Sequence, residues 1–444
     1  MAAKMIRTDK WPLQATPHQQ QLIRNTRNEY RAFCRALSVV VLNNWPALQQ
    51  APSFAAAVER LIHPTKKHPS PRHHYFAQRF YKFPSYLRRA AIEFVKGQVS
   101  SYLTRYREWQ SGSCSRRDAQ PPRFNAVSGC YPVMYRGQLV KFDTAFTTAS
   151  LKLWDGKEWL WHDVIIKAVR QRHLTGTVKS PTLVLNRHCH LAVPVEIRPE
   201  QLPDQQRVCA VDVGINTLAT ASIVSSSGTV AARRFFHPAA DIDRRDKRAA
   251  IIRGKARKTG TLSKGFARQW YQKVQRINDN MAQQTSRQLV DFAVAEGADV
   301  IVLEDLKGWR PKGGKKRSGL RQRFHHWLHR RLATLTEHKM KEAGGKVIYV
   351  TARGTSSWAF DGSGRVKRDT TQYELATFTN GKRYNADLNA SYNIGARYWA
   401  WKHQLTRRKD GQVSGGQRSP DSPRMPVTLS TLWWSDEAPN QCAA

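Results

Sequence analysis

The stretch Arg207–Val224, R-V-C-A-V-D-V-G-I-N-T-L-A-T-A-S-I-V, decides the fold. It opens as an apolar strand carrying one acid, Asp212, breaks at Gly214 and resumes as a second apolar strand. A third, T-V-A-A-R-R-F-F, follows at 229–236, and residues 240–297 then take helical periodicity. D-V-I-V-L-E-D-L at 299–306 reads as a buried strand ending in acids, with Glu304 92 residues beyond Asp212. A helix at 324–343, the strand K-V-I-Y-V at 346–350, an irregular segment to about 384 and a final helix from about 386 complete the order. Asp387 opens that last helix, in Y-N-A-D-L-N-A-S-Y-N-I-G, 83 residues beyond Glu304.

Three strands, a helix, a strand, a helix, a strand and a helix are the order of an RNase H-like α/β fold. That order puts Asp212 and Glu304 on strands and Asp387 at a helix start, so acids far apart in sequence can meet at one point. Hydrolysis of a phosphodiester attacks an anionic phosphorus with water and expels an alkoxide, which two Mg²⁺ ions can assist. Mg²⁺ demands oxygen ligands, so Asp and Glu suit it and Cys does not. Each acid has a plainer reading. Asp212 could sit at the surface, Asp305 competes with Glu304, and Asp387 could simply cap its helix.

The charge names the partner class. Lys+Arg number 73 against 33 Asp+Glu, a formal net charge of +40 in 444 residues. Such an excess repels itself unless a polyanion neutralises it, and nucleic acid phosphates do so with release of counterions. The 14 Trp and 14 Tyr add flat faces on which unpaired bases stack. With 40% hydrophobic residues the chain can bury more than one core. The six cysteines form no C-x-x-C pair, so neither a zinc ribbon nor a dense disulfide framework is expected. The start, MAAKMIRTDKWPLQ, has no apolar signal core, and no apolar run reaches the roughly 18 residues of a membrane span. A cytoplasmic, intracellular protein without membrane contact is the expectation.

Before Arg207 the pattern changes twice. From Thr16, a cap followed by Pro17, the residues Leu22, Ile23, Tyr30, Phe33, Leu37 and Val41 recur at helical spacing. A second helix is predicted at 85–109, with Arg88 and Arg89 on its basic face. From about 124 to 200 the period shifts to two, which predicts a barrel-like β module with the helices inserted. After 410 the composition turns to Gly, Ser, Pro and Asp, and a disordered tail is expected over 410–444.

The three motifs A-V-D-V-G-I-N-T-L-A-T, V-L-E-D-L-K-G and Y-N-A-D-L-N-A-S-Y-N-I resemble those of the TnpB and type V CRISPR effector superfamily. The resemblance is good over roughly 207–400, looser over 1–200 and absent from the tail. It implies an RNA-guided, transposon- or CRISPR-associated DNA endonuclease that takes guide RNA and target DNA as partners. A single RuvC-like site with two Mg²⁺ ions on Asp212, Glu304 and Asp387 would do the cutting, while base pairing reads the sequence. It also implies a domain order: a first wedge strand at 1–16, a helical recognition insert at 17–110, and a β-barrel-like wedge module at 111–206. The RuvC-like nuclease would follow at 207–345, a ribbon-like insert at 346–384 and the third-motif helix at 385–409. The family's ribbon carries four cysteines. Residues 346–386 hold no Cys and no His, so zinc is not expected, and Trp358, Phe360, Tyr373 and Phe378 are candidates for a metal-free core. Three other readings stay open: a guided DNA binder that does not cut, a guide-free, structure-selective nuclease, and a charge-neutralising RNA-binding scaffold with no Mg²⁺-dependent activity. Monomer and dimer are equally open.

Basic residues nominated for nucleic-acid contact are Arg88 and Arg89, Lys255, Arg257 and Lys258, and, in the loop 310–323, Lys312, Lys315, Lys316, Arg317, Arg321 and Arg323. Between Arg233 and Arg276 fourteen Lys/Arg face three Asp, a net of +11. His325, His326 and His329 are read as phosphate contacts or exposed side chains rather than as metal ligands.

Overall fold

The computed structural model describes residues 4–65, 68–167, 169, 174–186, 188–215, 217–260, 262–263, 265–306, 328–369, 371–372, 374–405 and 426–433. The chain divides between Arg198 and Pro199 into two compact units.

The N-terminal unit starts with β1 (Met5–Gln14), which leads into α1 (Pro17–Asn43). Thr16 accepts from the Gln19 amide and Gln19 reaches back to the Thr16 amide, a reciprocal cap with Pro17 in the first turn. The face predicted for this helix, from Leu22 to Val41, is the buried one. Shorter helices α2 (Trp45–Gln50), α3 (Phe54–Ile62) and α4 (Tyr75–Arg79) precede α5 (Ser85–Gln110). Strands β2 (Val140–Phe142), β3 (Thr148–Trp154), β4 (Trp159–Ile166), β5 (Thr177–Val178), β6 (Thr182–Leu185) and β7 (Cys189–Ile197) follow. Their order is β2-β3-β4-β1-β7-β5, with β6 also on β7. β1 bends between two partners: Met5–Pro12 pair with β7, Leu13 and Gln14 with β4. Single bridges from Val133 to Thr182 and from Arg136 to Val140 link β6 to β2, so the sheet curls as a half-barrel. Trp11, fully buried, lies in the core it shares with α1 and α5.

The C-terminal unit is built on a five-stranded sheet. Its strands are β8 (Arg207–Asp212), β9 (Ala219–Ser225), β10 (Val230–Phe236), β11 (Val300–Asp305) and β12 (Lys346–Thr351), in the order β10-β9-β8-β11-β12. The first three run antiparallel, and β8, β11 and β12 run parallel. Between β10 and β11 lie α6 (Ala239–Thr259) and α7 (Arg268–Ala295), and between β11 and β12 lies α8 (His329–Glu342). One face of the sheet, with Cys209, Val211, Ile301 and Leu303, packs on α7 and α8. The other, with Val208, Ala210, Val300 and Val302, packs on α9 (Ala386–Lys402).

α9 lies close against the sheet because Gly395 has no side chain. A Cβ there would stand 2.7 Å from Val224 Cγ2 and 3.2 Å from the Ala210 Cβ. Ser391 and Ser222 share a buried hydroxyl hydrogen bond of 2.6 Å, and the Trp399 indole donates to the Val224 carbonyl at 3.0 Å. Gly395→Val is therefore expected to cost about 1–3 kcal/mol by overpacking, more than the helix propensity it gains. A lower thermal midpoint is the expected reading. An unchanged midpoint would refute the close approach.

The disordered tail expected from 410 is corrected in part. Residues 426–433 are folded and end in the short helix α10 (Ser430–Trp433). Val427, Leu429 and Leu432 are buried against α9, the Asn393 amide oxygen accepts from Leu429 N at 3.3 Å, and the Trp433 indole donates to the Gly228 carbonyl at 3.2 Å. A short apolar segment within a polar stretch thus packs against α9.

Candidate active site

The parallel register of β8 and β11 pairs Val208 with Val300 and Val211 with Leu303. One position further, Asp212 and Glu304 stand at matching ends of neighbouring strands. Side chains alternate between the two faces of a sheet. Val208, Ala210 and Asp212 share one face, as do Val300, Val302 and Glu304, and it is the face covered by α9. Asp305 takes the alternate position, with Ile301 and Leu303 on the α7 and α8 side, and is exposed. The alternation thus puts Glu304 on the α9 side and Asp305 on the other.

Asp387 is not the cap of α9. Asn385 is: its side chain accepts from the amides of Asp387 and Leu388 at 3.0 and 2.9 Å. The Asp387 carboxylate is left for other work in the first turn, where the helix dipole favours an anion.

Electrostatics couples the three acids. Burial pushes the Asp212 carboxyl well above the usual carboxylate range, and the charges of Glu304 and then Asp387 push it further, while Arg368 opposes them. Burial also raises Glu304, against the Thr355 hydroxyl bonded to it and the Arg397 guanidinium. Asp387 is raised by burial, opposed by Arg368 and reinforced by Glu374. Among the described residues, no three His, Cys, Asp or Glu side chains are arranged to hold a metal ion as they stand.

Three residues that the sequence did not single out brace this cluster. Thr355, almost fully buried, donates its hydroxyl to Glu304 Oε1. Its loop is held from α9, where the Asn393 amide donates to the Thr355 and Trp358 carbonyls at 3.0 and 2.8 Å. Arg397, also buried, donates to the carbonyls of Thr351 and Arg353. One helix therefore carries Asp387 and steadies Glu304. Arg368 comes from β13 (Lys367–Arg368), which pairs with β14 (Leu375–Thr377) and through it with β15 (Arg383–Asn385), the strand that runs into α9.

This small sheet is the cysteine-free insert. Phe360 meets Phe378 at 5.6 Å, Tyr384 at 5.2 Å and Tyr392 at 5.2 Å between ring centroids. The Lys382 ammonium lies over Phe360 at 4.8 Å and over Tyr384 at 5.5 Å. Trp358 is not in that core but pairs with Arg365, whose guanidinium covers its ring at 5.4 Å. Tyr373 lies outside the described residues.

The nominated basic residues divide. Arg88 is corrected: it is buried and its Nε pairs with Glu59 Oε1 at 3.3 Å, because it sits on the inward side of α5. Arg89, Lys255, Arg257 and Lys258 are exposed, with the Lys255 ammonium over the Trp270 ring at 5.2 Å. Lys312, Lys315, Lys316, Arg317, Arg321 and Arg323, with His325 and His326, lie outside the described residues. No helix among the described residues is long and apolar enough to cross a membrane.

No curated protein matches the chain in sequence. Residues 7–155 match the family model described as the Aq_aa04 family. Among solved structures, the chain is similar to a Cas12f1–sgRNA–target DNA complex, at 13% identity over 88% of this chain and 99% of that one, with a TM-score of 0.35. It is also similar to C2c1 of Alicyclobacillus acidoterrestris with single-guide RNA, at 11% identity over 87% and 68% of the two chains and a TM-score of 0.41. Residues 329–394, from α8 through the insert to Asp387, match the Cas12f1-like TNB domain, and on that match the chain resembles the TnpB and type V CRISPR effector superfamily.

Proposed function

We propose that the chain is an RNA-guided DNA endonuclease with an RNase H-like, RuvC-type site that hydrolyses phosphodiester bonds. The observation that carries this reading is that Asp212 and Glu304 end neighbouring strands on the sheet face covered by α9, with Asp387 in the first turn of that helix. All three acids are half-buried, and like charges gathered away from water destabilise a fold unless a cation joins them.

The chemistry of Asp212, Glu304 and Asp387 fits Mg²⁺, since all three offer carboxylate oxygen. Asp212, Glu304 and Asp387 would hold it. When bound, Mg²⁺ lowers the pKa of water and neutralises charge on the phosphate and leaving oxygen. The chain's own residues do the rest. Thr355 fixes the Glu304 carboxylate in one orientation, and α9 keeps the Thr355 loop in place. Arg368, exposed beside two of the acids, meets the negative charge of the scissile phosphate. The +40 charge supports polyanion binding, and the likeness of residues 329–394 to a type V domain supports guidance by RNA.

The test uses the full chain purified with whatever RNA it carries. That RNA is sequenced, and a plasmid bearing the complementary sequence is offered with Mg²⁺. Linearisation of the matched plasmid alone, abolished by chelation, is the expected result. Binding without cutting would leave a guided DNA binder, and cutting without bound RNA a guide-free nuclease. Either outcome overturns the proposal.

A further inference from the structure

The last three turns of α5 hold no fully buried residue, although Leu103 packs on the edge of the core. Val99 is the last fully buried residue of the helix, and residues 100–110 run on for about 16 Å with Leu103 half-buried against the core. Yet this end carries an aromatic stripe, Tyr102, Tyr106 and Trp109, at spacings of four and three that place all of them on one side. Tyr102 and Tyr106 lie 5.8 Å apart between centroids and tilted by 54°, and Tyr106 and Trp109 lie 5.3 Å apart and tilted by 57°. From the loop that follows, the Arg116 guanidinium comes back over Trp109 at 4.3 Å and over Tyr106 at 5.6 Å. Arg105 bonds only along its own helix, to Ser101, and Arg107 is exposed. Glu108 and Asp118 are the acids nearby in sequence, and Asp118 is taken up by the Ser115 hydroxyl at 2.7 Å.

The three rings stay half-exposed, Tyr106 and Trp109 under the single guanidinium of Arg116. Tilted rings five to six ångströms apart, set between arginines, match what an unpaired strand offers: flat base faces in succession and a phosphate on each sugar. A duplex hides its base faces and would find only the charge. The flat guanidinium of Arg116 occupies the place over the indole that a base would take, and once displaced it is free to reach a phosphate.

We propose that this end of α5 binds an unpaired DNA strand by stacking its bases on Tyr106 and Trp109, with Arg105, Arg107 and Arg116 on the phosphates. The proposal rests on the guided-nuclease reading, because invasion of a duplex by a guide leaves one DNA strand unpaired.

The test is a binding measurement in chelator, so it does not depend on cleavage and its failure is distinct from failure of the nuclease reading. Fluorescein-labelled oligodeoxythymidine of 20 nucleotides and a labelled 20-base-pair duplex are titrated with the full-length protein and followed by anisotropy. Tyr106→Ala with Trp109→Ala is expected to weaken single-strand binding about 10- to 100-fold and to leave the duplex unchanged. Trp109→Leu, which keeps apolar bulk and so separates the ring from the fold, should lose about tenfold, whereas Trp109→Phe should keep most of the affinity. Unchanged single-strand affinity in Trp109→Leu, or equal losses on both probes, overturns the proposal. So does selective loss of oligouridine RNA with thymidine binding intact, or a dimer that the double variant splits.

Discussion

Asp212→Asn is expected to lower cleavage by about 10²–10³-fold and, in the same protein without Mg²⁺, to raise the thermal midpoint at neutral pH. The two effects have one origin. Asn matches Asp in shape but carries no charge, so it cannot help to hold a divalent ion, nor does it repel Glu304 and Asp387. The direction with pH follows from the raised carboxyl. A carboxyl whose folded value lies above its unfolded value keeps its proton longer in the native state. Ionisation then costs stability between the two values: nothing is lost below the ordinary range near 4, and the loss grows as pH climbs through the folded value. The difference in midpoint between variant and wild type should therefore be small at pH 4 and reach its full size above the folded value of Asp212. Each kcal/mol of relief corresponds to about 2–4 °C in a unit of this size. Mg²⁺ should reverse the ranking, raising the wild-type midpoint by binding only the native state and leaving the variant flat. A variant that cuts at the wild-type rate would remove Asp212 from the site. A variant of unchanged midpoint in chelator would show that the three acids do not strain one another.

How much of this could be read from the chain differs residue by residue. The strands around Asp212 and Glu304 and the start of the last helix are local patterns, and they appear where V-C-A-V-D, V-I-V-L-E and N-A-D-L-N put them. The choice between Glu304 and Asp305 was not legible. V-I-V-L is apolar on both faces, as buried parallel strands are, and shows no alternation to orient the acids that follow. Arg88 departs from the expected basic face because neighbouring residues on a helix point about 100° apart, so a basic run contains members that turn inward, here toward Glu59. Thr355, Arg368 and Arg397 reach the acids only through tertiary contacts, and nothing in their local sequence marks them. The folded piece at 426–433 was hidden by its polar surroundings, although Val427, Leu429 and Leu432 are its buried residues.

Removal of Arg368 separates the two tasks a cation can have beside these acids. Arg368 opposes the rise of both Asp212 and Asp387. Without it both carboxyls should rise further and hold their protons to higher pH. Ligands must be deprotonated to take a metal, so the acid limb of the pH–rate profile should move to higher pH in Arg368→Ala. If this were its whole contribution, the maximal rate would return once pH and Mg²⁺ were both raised, and Mg²⁺ would bind more tightly for want of a like charge. An arginine that also meets the scissile phosphate stabilises charge on the reacting group itself, and no amount of Mg²⁺ replaces it. The expected result is the second: a deficit of about 10- to 100-fold that persists at saturating Mg²⁺ and high pH, with half-saturation by Mg²⁺ unchanged or improved. Arg368→Lys keeps the charge but not the planar fork. It should restore the position of the acid limb more fully than the rate. Full recovery of the maximal rate in Arg368→Ala would confine this residue to tuning the carboxylates, and the phosphate would then need another cation.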